Sequence, residues 1–214
     1  VNSEVSESVF QAINVFEELG AKLVEVKVPT LIGGDDTWIT VTMVDALKDH
    51  SKFFPTNRSL YGPFGDHLAV AAEVAPAVFE RCVNYGNNFR QDFHKLFNEV
   101  DVIMCPTMVT IPPALTDNAT YDSKLRNSIA GKGYSGTSDA EWGEYSDRIG
   151  KFTVPFNFSG NPTISLPCGF SSTKLPVSLQ IIGKQLHEST IIALGKQYQS
   201  ATDWHTINPS GFGF

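Results

Sequence analysis

With 214 residues, of which 42% are hydrophobic and 18% charged, the chain can bury a substantial core and is too apolar to be disordered. A net charge of −7 with no basic cluster excludes a nucleic-acid footprint and attraction to anionic membrane surfaces. No run of about 18 apolar residues is present, so no spanning helix is expected, and three widely spaced cysteines (Cys82, Cys105, Cys168) form neither a disulfide framework nor a CxxC metal site; a reducing, cytoplasmic setting fits them.

Asn2 or Ser3 caps a helix expected over residues 4–19, where Val5, Val9, Ala12, Ile13, Phe16 and Leu19 recur at three- and four-residue spacing and Gly20 ends the pattern. Leu23, Val24, Val26 and Val28 then predict a strand closed by Pro29. Asp35 and Asp36 open a second helical pattern running through Trp38, Val41, Val44 and Leu47, and residues 53–65, aromatic and rich in turn formers, read as irregular. Helices are expected over 66–74 and 76–98, the latter with Pro76 in its first turn. Residues 101–107 read as a short strand covered on both faces.

Residues 116–150 are polar and rich in Gly, Ser, Asp and Asn, at a length where loops tend to be functional. A turn-rich buried stretch follows from Phe152. After it come strands over 163–166 and 177–182, a helix over 188–199 and an extended tail from Trp204. The order of elements predicts an α/β fold, and its strands would leave sheet edges that something must cover.

No catalytic apparatus can be assembled from these residues alone. Gly133-Tyr134-Ser135-Gly136-Thr137 comes nearest to a nucleophile elbow but lacks the second glycine and a preceding strand, so an ordinary turn is the simpler reading. The five histidines (His50, His67, His94, His187, His205) share no metal-ligand spacing, so no metal is expected, and the glycines at 33, 34, 131, 133 and 136 do not lie between strand and helix as a phosphate cradle requires. Asp35-Asp36 and Glu17-Glu18 are most simply helix-start and solvated-face charges. What remains are aromatic and proline residues at loop edges, where α/β folds build small-molecule sites: 61–64, 105–107 and 152–157. Packed turns are the plain alternative at each.

Several of these segments, in this order, resemble the C-terminal half of the amidase-signature family of amide hydrolases. They are Leu19-Gly20-Ala21 leading into Val24-Glu25-Val26, Tyr61-Gly62-Pro63, and Phe89-Arg90-Gln91-Asp92-Phe93 leading to Asp101-Val102-Ile103-Met104-Cys105-Pro106-Thr107. Then come Thr153-Val154-Pro155-Phe156-Asn157, Gly160-Asn161-Pro162, Leu166-Pro167-Cys168-Gly169, Leu175-Pro176 and Leu179-Gln180-Ile181-Ile182-Gly183. The resemblance covers essentially the whole chain. It implies that residues 1–214 are the C-terminal portion of a single amidase-signature domain, an α/β/α fold with a mixed sheet flanked by helices.

The family cleaves carbon–nitrogen bonds with a Ser-Ser-Lys triad set in a Gly/Ser-rich signature. No Gly-Ser-Ser-Gly-Gly stretch occurs in this sequence and no lysine matches the base, so no catalytic residue is carried over. The nucleophile and base are expected in an N-terminal portion outside this chain, on the same polypeptide or a separate one, and the chain alone is expected to be inactive. The resemblance implies substrate-binding roles for Tyr61, Pro106, Thr107, Phe152, Thr153 and Asn157, a small-molecule amide substrate, no cofactor, and a possible homo-oligomer. Glutamine-using relatives carry an acidic residue shortly before the Thr-x-Pro-x-Asn segment, where this chain has Gly150, or Asp147 in a slipped alignment. Phe152 and Phe156 favour an apolar or aromatic amide instead. The alternatives are a non-catalytic binding or regulatory subunit on the same scaffold, and an unrelated α/β ligand-binding domain.

Overall fold

A computed structural model describes residues 1–29, 34–62, 64–111 and 150–208, with backbone alone for residues 34–36. The expected 116–150 loop therefore falls outside the described residues except for Gly150. The chain forms two compact units: residues 1–29, 90–112 and 148–214 in the first, residues 30–89 and 113–147 in the second.

The first unit is built on a three-stranded antiparallel sheet. Its strands are β1 (Val102–Pro106), β2 (Thr163–Phe170) and β3 (Pro176–Gly183), in the order β1-β3-β2. Cys105 and Ser165 both stand opposite Gln180 in the register, and Met104 and Ile164 both stand opposite Ile181. Directly opposed residues share a face, so each cross-strand row assigns its members to one side. A bulge between Pro167 and Gly169 shifts the β2 register by one residue.

One face carries Val177, Leu179, Ile181, Leu166 and Cys168, all buried, and packs against two helices. The first, α1 (Ser3–Glu18), starts where Asn2 Oδ1 accepts from the backbone N–H groups of Glu4 (2.8 Å) and Val5 (3.4 Å). This satisfies two amides that the first turn leaves without intrahelical partners. Its Val5, Val9, Ala12 and Phe16 stripe enters the core as the spacing requires. The helix that follows β3, residues Glu188–Ala201, adds Ile191 and Tyr198 to the same core.

The opposite face carries Ser178, Gln180 and Ile182. Before β2 runs a one-and-a-half-turn helix, Val154–Ser159, which takes the label α5 in chain order; the helix after β3 is then α6. Sequence periodicity leaves this stretch as an irregular buried segment. It is helical because Pro155 suits the first turn and Gly160, at φ +72°, closes it in the left-handed conformation, its N–H donating to Phe156 O. Phe156 and Phe158 are buried, and Phe93 meets Phe156 edge-on at 5.7 Å between ring centroids.

In the second unit, α2 (Gly34–Asp49), a 3-10 turn (Arg58–Tyr61) and α3 (Phe64–Ala71) pack about an aromatic cluster of His50, Phe54, Tyr61 and Phe64, and the unit also holds the first part of α4 (Pro76–Lys95). The peptide before Pro55 is cis.

Two sequence expectations are corrected. Residues 21–29 form no strand: a strand is defined by a partner, no described strand pairs with them, and Leu23 and Val24 lie exposed. The described sheet accordingly has three strands, all pairs antiparallel. β1 is an edge strand of that sheet, with Ile103 buried on one face and Val102 and Met104 packed half-buried against the core on the other. Near the C-terminus, Trp204–Thr206 is a 3-10 turn.

Candidate functional site

Five of the six residues singled out from sequence lie in the sheet-based unit: Pro106, Thr107, Phe152, Thr153 and Asn157. Pro106 ends β1, and Thr107 continues it in direction, its N–H donating to Ser178 O at 3.1 Å. The Thr107 Oγ1 donates to Ser165 Oγ at 3.2 Å. Phe152 and Thr153 are half-buried in the turn that opens α5, and Thr153 N–H closes that turn on Gly150 O at 3.0 Å. Asn157, one helical turn on, sends its N–H to Thr153 O (3.1 Å) and leaves its side chain exposed.

These two segments are brought together by a residue that sequence reasoning does not select. Gln180, in the central strand and 4% exposed, donates through Nε2 to Phe152 O at 2.7 Å and to Cys105 Sγ at 3.6 Å. A buried carboxamide is costly unless its hydrogen bonds are made, and here it spans from β1 to the α5 turn. The available signal is weak: Gln180 is the one strongly polar side chain in Leu179-Gln180-Ile181-Ile182, all of it buried. Ser165 also escapes a sequence reading, since its partner Thr107 is 58 residues away.

The other end of α5 is fixed in the same manner. Asn161 Nδ2 donates to Gly183 O at 2.7 Å, and Gly183 N–H donates to Pro162 O at 2.9 Å. Two buried carboxamides thus hold one short helix against one strand. Phe156, offered from sequence as a selector of apolar substrates, points instead into the Phe93 contact and is 5% exposed, so of the two phenylalanines only Phe152 is left half-open.

The electrostatics are quiet. Burial pushes the Cys105 thiol up to about 11 and outweighs the Gln180 hydrogen bond that lowers it. Burial likewise pushes Cys168 up to about 12, against a backbone hydrogen bond at Leu179. Both are therefore protonated near neutral pH and unsuited to nucleophilic attack, which needs the thiolate. Among the described residues no group of three or more His, Cys, Asp or Glu is placed to hold a metal ion, and no helix is long and apolar enough to cross a membrane. An open recess of about 100 Å³ lies beside this end of the sheet, lined by Val5, Thr107, Met108, Ile111 and Val177 among others.

Tyr61, the sixth residue, belongs to the second unit. Its ring meets His50 edge-on at 5.3 Å and Phe54 edge-on at 5.8 Å, and lies near-parallel to Phe64 at 6.3 Å. The Tyr61 hydroxyl and His50 Nδ1 are 3.1 Å apart, so its polar tip is held as well as its ring.

A family model described as Amidase matches residues 1–192. A glutamyl-tRNA(Gln) amidotransferase component from Hahella chejuensis is 26% identical over 235 residues, covering 98% of this chain and 44% of that protein. Its counterpart from a Geobacillus species is 30% identical over 237 residues, with the same coverage. Among solved structures, a 6-aminohexanoate cyclic dimer hydrolase superposes with a TM-score of 0.74 at 20% identity, covering 98% of this chain and 44% of that one. A bacterial aryl acylamidase of the amidase-signature family superposes at 0.67 and 18% identity, with 96% and 42% covered. At such identities the structural matches establish the fold. The chain spans less than half the length of the curated relatives it matches.

Proposed function

This chain belongs to the amidase family, and from that premise we propose that it is the C-terminal part of an amide hydrolase, completing the fold and walling the substrate pocket. The nucleophile and base of a Ser-Ser-Lys mechanism come, in this reading, from a segment outside residues 1–214. One observation carries it: nearly the whole chain aligns with only 44% of its relatives, while its own sequence holds no Gly-Ser-Ser-Gly-Gly stretch.

The pocket wall consists of Pro106 and Thr107 at the end of β1 together with Phe152, Thr153 and Asn157 at α5. Tyr61 takes its substrate-binding role on family membership alone. Thr107 and Asn157 offer hydrogen-bonding groups to an amide, and Phe152 offers an aromatic surface, so the substrate class is an apolar or aromatic amide. Gly150 supplies no carboxylate before the Thr153–Asn157 segment, which speaks against glutamine as the ammonia donor.

The test is intact-mass measurement of the protein from its native source, under denaturing and native conditions, followed by hydrolysis assays on linear and aryl amides. A continuous or co-purifying segment bearing a Gly/Ser-rich stretch, with amide hydrolysis, is the expected result. A lone 23.4 kDa species that binds amides and never cleaves them makes the protein a non-catalytic binding module and ends the catalytic reading.

A further inference from the structure

We propose that Gln180 is a positioning residue, setting the height at which the Phe152–Asn157 wall stands over the sheet; the inference rests on the amide-hydrolase reading above. α5 is tied to β3 at two points, Gln180 Nε2 to Phe152 O (2.7 Å) at its start and Asn161 Nδ2 to Gly183 O (2.7 Å) after its end. The two ties differ in what lies beside them. Asn161 follows the Gly160 turn, past the pocket residues, and serves the fold. Gln180 grips the carbonyl of a pocket residue and at the same time approaches Cys105, the neighbour of Pro106 and Thr107. One carboxamide therefore sets the spacing between the two segments that carry the pocket side chains.

The chemistry requires glutamine. The group must present two N–H donors to two acceptors, a carbonyl oxygen and a sulfur, from the middle of a buried strand. A carboxylate at the same place would face the Phe152 carbonyl with an acceptor, and a methionine would fill the volume without donating. Asparagine falls one methylene short. Loss of the tie takes from Phe152 its anchor on the central strand, so the wall loosens while the sheet and its α1 and α6 layer remain in place.

The experiment compares Gln180→Met and Gln180→Glu with the unsubstituted intact protein. Two quantities are read: amide hydrogen exchange along residues 150–160, with α1 and α6 as internal references, and the separate kcat and KM values for an aryl amide. The expected result is exchange about tenfold faster at 152–157 alone, as the loss of one hydrogen bond implies, with KM raised more than kcat is lowered. Unchanged exchange at 152–157, or a uniform rise across α1 and α6, overturns the proposal. So does a KM that stays fixed, and so does failure of both variants to fold, which assigns Gln180 to the core alone. If the unsubstituted protein hydrolyses no amide, the functional reading falls, and the exchange data still decide whether Gln180 sets the wall.

Discussion

The rings of Phe16 and Tyr198 lie stacked, 5.2 Å between centroids and 10° from parallel, and join the first helix of the chain to α6 over one face of the sheet. Each ring is 1% exposed. Two helices from opposite ends of the sequence thus share one aromatic contact, and the sheet beneath depends on both.

Truncating that contact should be severe. Phe16→Ala removes a fully buried ring and leaves a cavity its neighbours cannot fill, so unfolding stability should drop by about 3–5 kcal/mol. Chemical denaturation followed by far-UV circular dichroism measures it; a loss below about 1 kcal/mol would mean that α1 is not held through this stack.

Gly183→Ala should also destabilise, by overfilling. A Cβ built at Gly183 lies 2.8 Å from Ile191 Cγ2, and Ile191 is itself buried at the start of α6. The expected cost is about 1–3 kcal/mol, recovered in part by adding Ile191→Ala, which removes the clashing Cγ2 methyl. Absence of any rescue in the double variant would show that the strain is relieved elsewhere.

Alkaline pH should weaken the sheet-based unit. Cys105 moves from an ordinary 9.0 to about 11 and Cys168 from 9.0 to about 12 on folding, both by burial. Above pH 9 the unfolded chain sheds thiol protons that the folded chain keeps, so stability is flat below that point and falls as pH rises through 9 toward 11. Denaturation midpoints between about pH 8 and 10.5 should show the decline, and Cys105→Ser with Cys168→Ala should flatten it. In the native protein a thiol reagent should modify half-buried Cys82 before either of the other two.

Asn157→Ala separates fold from function. The side chain is exposed, so the substitution should change stability by less than about 0.5 kcal/mol. Under the proposed function, kcat/KM for amide hydrolysis by the intact protein should nonetheless fall about tenfold, the value of one lost hydrogen bond to substrate. An unchanged kcat/KM removes Asn157 from the pocket.

How far the sequence alone reaches depends on the range of the forces involved. α1 is legible because its period and its cap are local: Val5, Val9, Ala12 and Phe16 repeat on one face and Asn2 sits ahead of them. The hairpin β2–β3 is legible for the same reason, although both strands extend beyond the apolar runs that reveal them. α5 is not, because six residues containing proline, valine and two phenylalanines have no helical period, and the helix is specified by its ends. Leu23–Val28 misleads in the opposite sense, since β-branched composition is local and strand pairing is not. The residues proposed to line a pocket, Phe152, Thr153 and Asn157 with Pro106 and Thr107, can be picked out one by one, while the junction of the two segments through Gln180 is a contact in space that no spacing rule encodes.

The strand order β1-β3-β2 also fixes a sequence of events in time. The last of these strands to be synthesised is the middle one, so β1 is made first and has no partner in this sheet until residues 176–183 have left the ribosome. β2 and β3 can close early as a local hairpin, but β1 must be captured across residues 107–175, a non-local step of the kind that slows folding. A nascent chain released before Pro176 would carry two unpaired edges and none of the strand that joins them, which makes premature termination anywhere upstream of β3 a source of sticky, proteolytically vulnerable product.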